Sequence, residues 1–252
     1  MSGEEWHLPA AERNWALFLD FDGTLTELAP SPDAVSIDPR LQDILLALET
    51  ALGGALAIVS GRPLSQIDEY LGLSLPGAGI HGLQLRETRS GVLHPPPKGG
   101  AVAEVAALLA PMVAADPRLL LEEKPGAVAL HYRLAPEREV ECRAAVIAAL
   151  EGQPGLHLID GKMVLEVKPD HVNKGRAIAQ LMETRLFRGR IPVFAGDDRT
   201  DEDGFRIVNA MKGVTIKVGQ GETGAAYRIT SVDGLLSWLG GVARSLSGAG
   251  RK

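Results

Sequence analysis

Short apolar runs punctuate the chain, and each stops abruptly at a turn or polar residue: residues 15–20, ALAIV at 55–59, IPVFA at 191–195 and VTIKV at 214–218. Continuous apolar runs of this length, bounded by such residues, predict buried strands. Helical segments are predicted between and after them, near 40–50, 64–71, 174–187 and 232–243. Alternation of this kind predicts an α/β fold, in which right-handed crossovers assemble a Rossmann-like parallel sheet with helices on both faces.

The middle of the chain follows another pattern. After a turn-rich stretch from His94 to Gly100 comes an Ala/Leu/Val helix over about 101–115. Strands at 119–123 and 127–133 follow, separated by Pro125-Gly126, a strong turn pair. A second helix over about 137–150 leads to strands at 156–159 and 163–167, divided by the hairpin signal Asp160-Gly161. This α-β-β-α-β-β block predicts a small α+β domain over 91–169, inserted into a core formed by 1–90 and 170–252.

Composition narrows the function classes. The chain is 252 residues long, 45% hydrophobic and 23% charged, which is ordinary globular usage. A net charge of −6 argues against a general nucleic-acid or anionic-membrane surface. The single cysteine, Cys142, excludes an intrachain disulfide and suits a reducing compartment. Its Ala-rich surroundings make it a buried structural thiol. The acidic N-terminus lacks an apolar leader, and no run approaches the roughly 20 apolar residues of a membrane span. A cytoplasmic protein with a frayed SLSGAGRK tail is expected.

Candidate chemistry sits where the strands stop. The first run ends in LDFDGTLT, placing Asp20 and Asp22 at a strand terminus, where an ionised carboxylate is costly unless paired. The second ends at Ser60, followed by Gly61 and Arg62. A later one opens into GDDRTDED, with Asp197, Asp198 and Asp201, and Lys174 precedes a helix in HVNKGRAI. Each alone has an ordinary reading: a loop start, a strand-to-helix turn, an exposed lysine, or an acidic helix start favoured by the helix dipole. Those readings leave unexplained why three strand ends on one sheet edge are acidic or hydroxyl-bearing. Carboxylates suit a divalent ion, and a hydroxyl with an ammonium suits a transferring phosphoryl group.

Taken in order, DFDGTLT, VSGR, NKG and GDDRTDED resemble the four motifs of the haloacid dehalogenase-like phosphotransferase superfamily. The resemblance implies that Asp20 is a nucleophile forming an aspartyl-phosphate and that Asp22 is general acid and then base. It implies Mg²⁺ bound by Asp20, the main-chain carbonyl of Asp22, and Asp197. Asp201 would support the metal waters or the lysine, and Ser60 and Lys174 would hold the phosphate. An acid two residues after the nucleophile is the phosphatase pattern, which favours hydrolysis of a phosphate monoester.

The inserted block lies where the superfamily's larger cap domains are placed, and a cap closing over the site would exclude water. Its strands carry charge at alternate positions: Glu122 and Lys124, His131 and Arg133, then Lys162, Glu166 and Lys168. A solvated sheet face has the same pattern. A ring of carboxylates and ammonium groups also matches sugar hydroxyls, which both donate and accept. The strings LExKPGAVALHYR, GKMVLEVKP and PVFAGDDRTDEDGF resemble trehalose-6-phosphate phosphatases, and the similarity runs from about Trp15 to Trp238. It implies trehalose 6-phosphate as substrate, with Glu122, Lys124, Arg133, Lys162 and Glu166 binding the sugar and His81 and Gly82 supporting the site. Pro125-Gly126 departs from the family, which often has a small polar or alanine-like residue after the lysine.

Phosphatases for sucrose 6-phosphate or mannosyl-3-phosphoglycerate, and a hexose-phosphate mutase, are the enzymatic rivals. A catalytically silent sugar-phosphate sensor would show degenerate aspartates, whereas Asp20, Asp22, Lys174 and Asp197 are intact. GQGETG at 219–224 matches a dinucleotide fingerprint, but no acid follows at the required distance. It reads as a tight loop with Thr223 beginning the next helix. The length leaves no room for a fused synthase domain, and a separate synthase partner stays open.

Overall fold

Strands buried on both faces have no polar edge to present to water, so their apolar side chains dictate helices above and below. The computed structural model describes residues 8–28, 35–92, 100–124, 126–161, 163–170 and 172–248. Met1–His94 with Asn173–Lys252 forms one compact unit, and Pro95–Val172 forms a second.

In the larger unit the strands are β1 (Trp15–Leu19), β2 (Leu56–Val59), β3 (Gly77–Gly79) and β4 (Gln84–Arg86), then β9 (Ile191–Gly196), β10 (Val214–Val218) and β11 (Tyr227–Ile229). They form one sheet in the order β11-β10-β9-β1-β2-β3-β4. Its helices are α1 (Leu41–Ala51), α2 (Leu64–Leu71), α5 (Lys174–Met182), α6 (Asp201–Ala210) and α7 (Val232–Gly248). Every pairing is parallel except β3 with β4, so an antiparallel edge strand completes the expected parallel sheet. β1 is central and wholly buried, paired with β9 from Trp15–Ile191 to Leu19–Ala195 and with β2 on its other side. The α/β fold with an inserted α+β unit is therefore as the sequence pattern predicts.

The smaller unit holds α3 (Ala101–Ala115), β5 (Leu120–Lys124), β6 (Ala127–His131), α4 (Glu139–Leu150), β7 (Leu156–Gly161) and β8 (Val164–Pro169). Its antiparallel sheet runs β5-β6-β8-β7. Val128, Leu130, Leu165 and Val167 pack with Val105, Leu109, Cys142 and Val146 of the two helices into a separate core. Cys142 is buried there, as its apolar setting suggests.

Several local expectations are corrected. The helix predicted over 174–187 stops at Met182, and the Thr184 hydroxyl donates to the Leu181 carbonyl at 2.7 Å in the turn that follows. The last helix continues five residues beyond its expected end, to Gly248. Thr223 begins no helix: its hydroxyl donates to Glu202 at 2.7 Å, and the next element is β11. The hairpin turns after Gly161, since Gly161 still pairs with Val164, and Met163 rather than Gly161 takes positive φ. Gly126 does take the left-handed turn conformation, while Pro125 and Lys162 lie outside the described residues. Among the described residues, no helix is long and apolar enough to cross a membrane.

Phe194 of β9 meets Phe205 of α6 with ring centroids 5.3 Å apart, and both are buried. This contact anchors the helix that carries Asp201. Phe194→Ala is expected to cost about 3–5 kcal/mol of stability, the usual range for a buried aromatic. Denaturant unfolding followed by the fluorescence of Trp15 and Trp238, both in the larger unit, measures it. A loss under about 1 kcal/mol would show that α6 is anchored elsewhere.

Candidate active site

The ends of three adjacent strands supply the site. Asp20 follows β1, Ser60 follows β2, and Asp197 follows β9, all at the carboxyl edge of the sheet. This is the crevice in which open α/β sheets bind ligands. The loop after β1 is tied down by the Leu25 N–H donating to the Phe21 carbonyl at 2.9 Å and the Gly23 N–H to the Thr26 carbonyl at 2.8 Å. Gly23 has φ +77°, and a Cβ there would lie 2.1 Å from Asp197 Oδ2, so only glycine lets the two acidic loops converge.

The lysine arrives from a helix N-terminus. Asn173 caps α5 by accepting from the Arg176 N–H at 2.9 Å, which makes Lys174 the first helical residue. Its ammonium is buried and donates to Asp20 Oδ1 at 2.8 Å and Asp201 Oδ1 at 2.7 Å. The other Asp201 oxygen accepts the N–H groups of Asp197 and Asp198 at 2.9 and 3.0 Å. Asp201 thus braces the acidic loop and the lysine together. Asp198 has a local task, accepting from the Thr200 and Asp201 N–H groups at 2.8 and 3.2 Å in the turn that leads into α6. The ordinary helix-start reading therefore holds for Asp198 but fails for Asp201, which is wholly buried.

Charge is unbalanced at this point. Asp20, Asp197 and Asp201 each bring a carboxylate oxygen within 4.8 Å of the others. Burial raises the proton affinity of all three; for Asp197, burial and then the charges of Asp20 and Asp198 push the pKa up to about 7. Asp198 moves the other way: burial raises it, but Lys174 and the bonds from Thr200 outweigh that. Burial disfavours the Lys174 charge, yet Asp20, Asp201 and Asp198 more than offset it, so the ammonium stays protonated. A hard divalent cation among oxygen-only donors would supply the missing positive charge, and the residues present fit one.

Asp22 stands apart from that carboxylate group. Both of its oxygens accept from Arg62, at 2.6 Å from Nε and 2.8 Å from Nη2. Ser60 Oγ accepts the Arg62 main-chain N–H at 3.1 Å, which leaves its own hydroxyl proton for another acceptor. His81 and Ile80 both have positive φ, and the His81 ring lies against Gly61, where a Cβ would come within 2.7 Å of it.

The smaller unit carries its own polar array. Lys124 Nζ donates to Glu166 Oε2 at 2.9 Å and lies 3.9 Å from Glu122, whose carboxylate is 2.9 Å from the His131 ring. β5 and β8 flank β6, so Lys124 reaches Glu166 across that strand. The span is open because β6 places Ala127 opposite Lys124 and Ala129 between Glu122 and Glu166. Arg133 is exposed two residues past the end of β6.

Two contributors carry weaker sequence signals. Thr24 donates to Asp20 Oδ2 at 3.1 Å and reaches Asp197 Oδ1 at 3.4 Å. Lys217, buried in β10, donates to the Asp197 carbonyl and, at 2.7 Å, to the Val218 carbonyl. A lone charge inside VTIKV is the signal that could have found it.

Comparison with known proteins follows the same lines. A family model described as trehalose-phosphatase matches residues 18–232. The trehalose-6-phosphate phosphatase of Escherichia coli (strain K12) is 39% identical over 235 residues, covering 92% of this chain and 87% of that protein. The structure of an Aspergillus fumigatus trehalose-6-phosphate phosphatase superposes with TM-score 0.71 at 26% identity, covering 94% and 99% of the two chains. A haloacid dehalogenase-like hydrolase from Bacteroides thetaiotaomicron shares the fold, with TM-score 0.62 at 16% identity over 92% and 98%.

The raised proton affinity of Asp197 has a measurable consequence. Between the ordinary carboxylate value of 3.8 and about 7, the folded chain holds a proton that the unfolded chain has released. Stability contributed through this carboxyl is therefore fully present at low pH and lost as pH rises through that window. Unfolding free energies of wild type and Asp197→Asn, measured from pH 4 to pH 8 without metal, should show the wild type losing ground to the variant as pH rises. A flat difference would mean that Asp197 titrates like an ordinary surface carboxylate.

Proposed function

We propose that this chain, which belongs to the trehalose-phosphatase family, hydrolyses trehalose 6-phosphate to trehalose and phosphate through an aspartyl-phosphate, with Mg²⁺ as cofactor. It is a phosphatase with a haloacid dehalogenase-like α/β fold. The observation that carries the mechanism is the buried Lys174 ammonium on Asp20 Oδ1, which holds one carboxylate oxygen in place at a strand end. In this reading an Asp20 oxygen attacks phosphorus and the bond to the sugar oxygen breaks. Asp22 gives that oxygen a proton. Asp22 then takes a proton from a water that attacks the phosphoaspartate, and Asp20 is regenerated.

Ser60 and Lys174 hold the phosphoryl oxygens while charge develops on them. Asp20, the Asp22 carbonyl and Asp197 would hold the Mg²⁺, with Asp201 bracing lysine and loop. Bound there, the ion supplies positive charge that lets an anionic nucleophile approach an anionic phosphate. Residues 91–169 serve as a substrate-recognising cap domain on a core of 1–90 and 170–252. Glu122, Lys124, Arg133, Lys162 and Glu166 recognise the sugar, and the mixed donors and acceptors of the Lys124–Glu166 and Glu122–His131 pairs support that role. The reaction belongs to the cytoplasm, where the buried Cys142 thiol stays reduced.

Phosphate release by the purified protein tests the reading against sucrose 6-phosphate and mannosyl-3-phosphoglycerate. Trehalose 6-phosphate should be the preferred substrate, chelation should abolish turnover and Mg²⁺ should restore it. Asp20→Asn should reduce it to background while the protein stays folded. Full activity after exhaustive chelation would remove the metal from the scheme.

Specificity gives a second expectation. Lys124→Ala or Glu166→Ala should lower kcat/KM for trehalose 6-phosphate by one to two orders of magnitude, matching loss of a charged hydrogen bond of about 1.5–3 kcal/mol. Nitrophenyl phosphate, which offers no sugar, should be much less affected. Equal losses on both would assign these residues to the fold instead.

A further inference from the structure

Arg62 has no part in the scheme above, yet it is the residue bound to Asp22. A carboxylate at the end of a short side chain turns easily about its last bond, and that rotation is broad and roughly two-fold. Asp22 is 30% exposed and so is not held by packing, whereas the Arg62 side chain is only 13% exposed. The arginine is itself fixed from behind. Its guanidinium lies over the Tyr70 ring, 5.5 Å from the centroid. That ring stacks on Phe21 at 6.1 Å with an interplanar angle of 8°, and Phe21 is the residue between Asp20 and Asp22. Phe21, Tyr70, Arg62 and Asp22 therefore close a loop that begins and ends on the same strand terminus.

We propose that Arg62 is a positioning residue acting through Asp22, a role that rests on the reading of Asp22 as general acid and base. The two bonds of the guanidinium fork set the plane of the Asp22 carboxylate. Each carboxylate oxygen can accept twice, so the fork leaves one lone pair on each for proton transfer. The proton moves between Asp22 and the leaving oxygen, then between the attacking water and Asp22, while Arg62 stays protonated throughout. Lysine would keep the charge but lose the fork, because its ammonium is a point donor. The same residue's main-chain N–H meets Ser60 Oγ, so a single turn orients the phosphate-holding hydroxyl and the acid.

Two simpler roles predict different results. A brace that merely ties the first two loops together would act on stability and on all substrates alike. An arginine that binds phosphate directly would act on KM. The test uses substituted phenyl phosphates spanning good and poor leaving groups, which need no sugar recognition. Arg62→Ala should lower kcat/KM on phenyl phosphate, which reports the leaving-group step, by about 10–100-fold, no more than the low end of what general acid catalysis supplies. On dinitrophenyl phosphate, whose leaving group needs no proton, the loss in kcat/KM should be under about threefold, while kcat there reports the later step in which Asp22 is the base. In an Asp22→Asn background the same change should cost less than about twofold, since residues acting as a unit are not additive.

Arg62→Lys, which keeps the charge and guards against misfolding, should show the leaving-group dependence of Arg62→Ala. Added guanidine should restore part of the Arg62→Ala rate on phenyl phosphate only. Equal loss across the series, or a raised KM together with weaker inhibition by inorganic phosphate, would overturn the proposal. Failure of the underlying reading shows itself separately, as an Asp22→Asn enzyme without leaving-group dependence. The identity of the natural sugar phosphate does not enter the comparison.

Discussion

A single ammonium, held out of water among carboxylates, is the constraint around which the larger unit is arranged. Lys174 comes from α5, Asp20 from β1 and Asp201 from α6, so one nitrogen joins three elements far apart in sequence. Such a group is poor as a source of stability, because desolvation offsets most of the attraction. Removing one partner is nevertheless severe, at about 3–5 kcal/mol, since the others are left buried and unpaired. The surrounding sequence reads as the conditions for that meeting. Asn173 starts the helix at the correct residue, and glycine at position 196 leaves room for the Asp201 carboxylate, which lies 2.3 Å from where a Cβ would be.

The strand order explains why the meeting happens where it does. The chain moves from β1 to β2 on one side, and later returns to place β9 on the other side of β1. Connections leaving a central strand in opposite directions open a crevice at its carboxyl end, and each neighbour contributes one loop to it. Acidic residues come from β1 and β9, and the hydroxyl from β2. The core supplies rigidity below, with Phe18, Phe187, Phe194 and Phe205 all buried.

The acidic half of the candidate site was legible because its residues break a local rule. Carboxylates at the ends of apolar runs, as at Asp20 and Asp197, contradict simple burial and so attract notice. Arg62 and Thr24 break no such rule, since an arginine in a turn and a threonine after glycine are each common, and the lone charge of Lys217 in an apolar strand names no partner. Their importance lies in partners distant in sequence. The short strands β3, β4 and β11 were missed for a related reason: three residues are too few to show a period, and Gly-Ala-Gly of β3 has no strand propensity of its own. In the smaller unit the polar positions were readable from alternation. That Lys124 would reach Glu166 over Ala127 and Ala129 of β6 required the strand order, which alternation does not contain.

The insertion between the two halves of the larger sheet also bears on the order in which the chain can fold. β1 is made early, but Trp15 pairs with Ile191, which emerges from the ribosome only after the whole smaller unit. Until then one edge of an entirely apolar strand lacks its hydrogen-bonding partner, a condition that favours aggregation over folding. The smaller unit has no such debt, since its sheet, helices and core all come from Pro95–Val172. Pairing of β1 with β9 joins segments far apart in sequence, a contact of the kind that slows folding, and it sets Asp20 beside the strand that leads into Asp197. A chain interrupted before β9 therefore lacks both that pairing and the acidic loop that follows it.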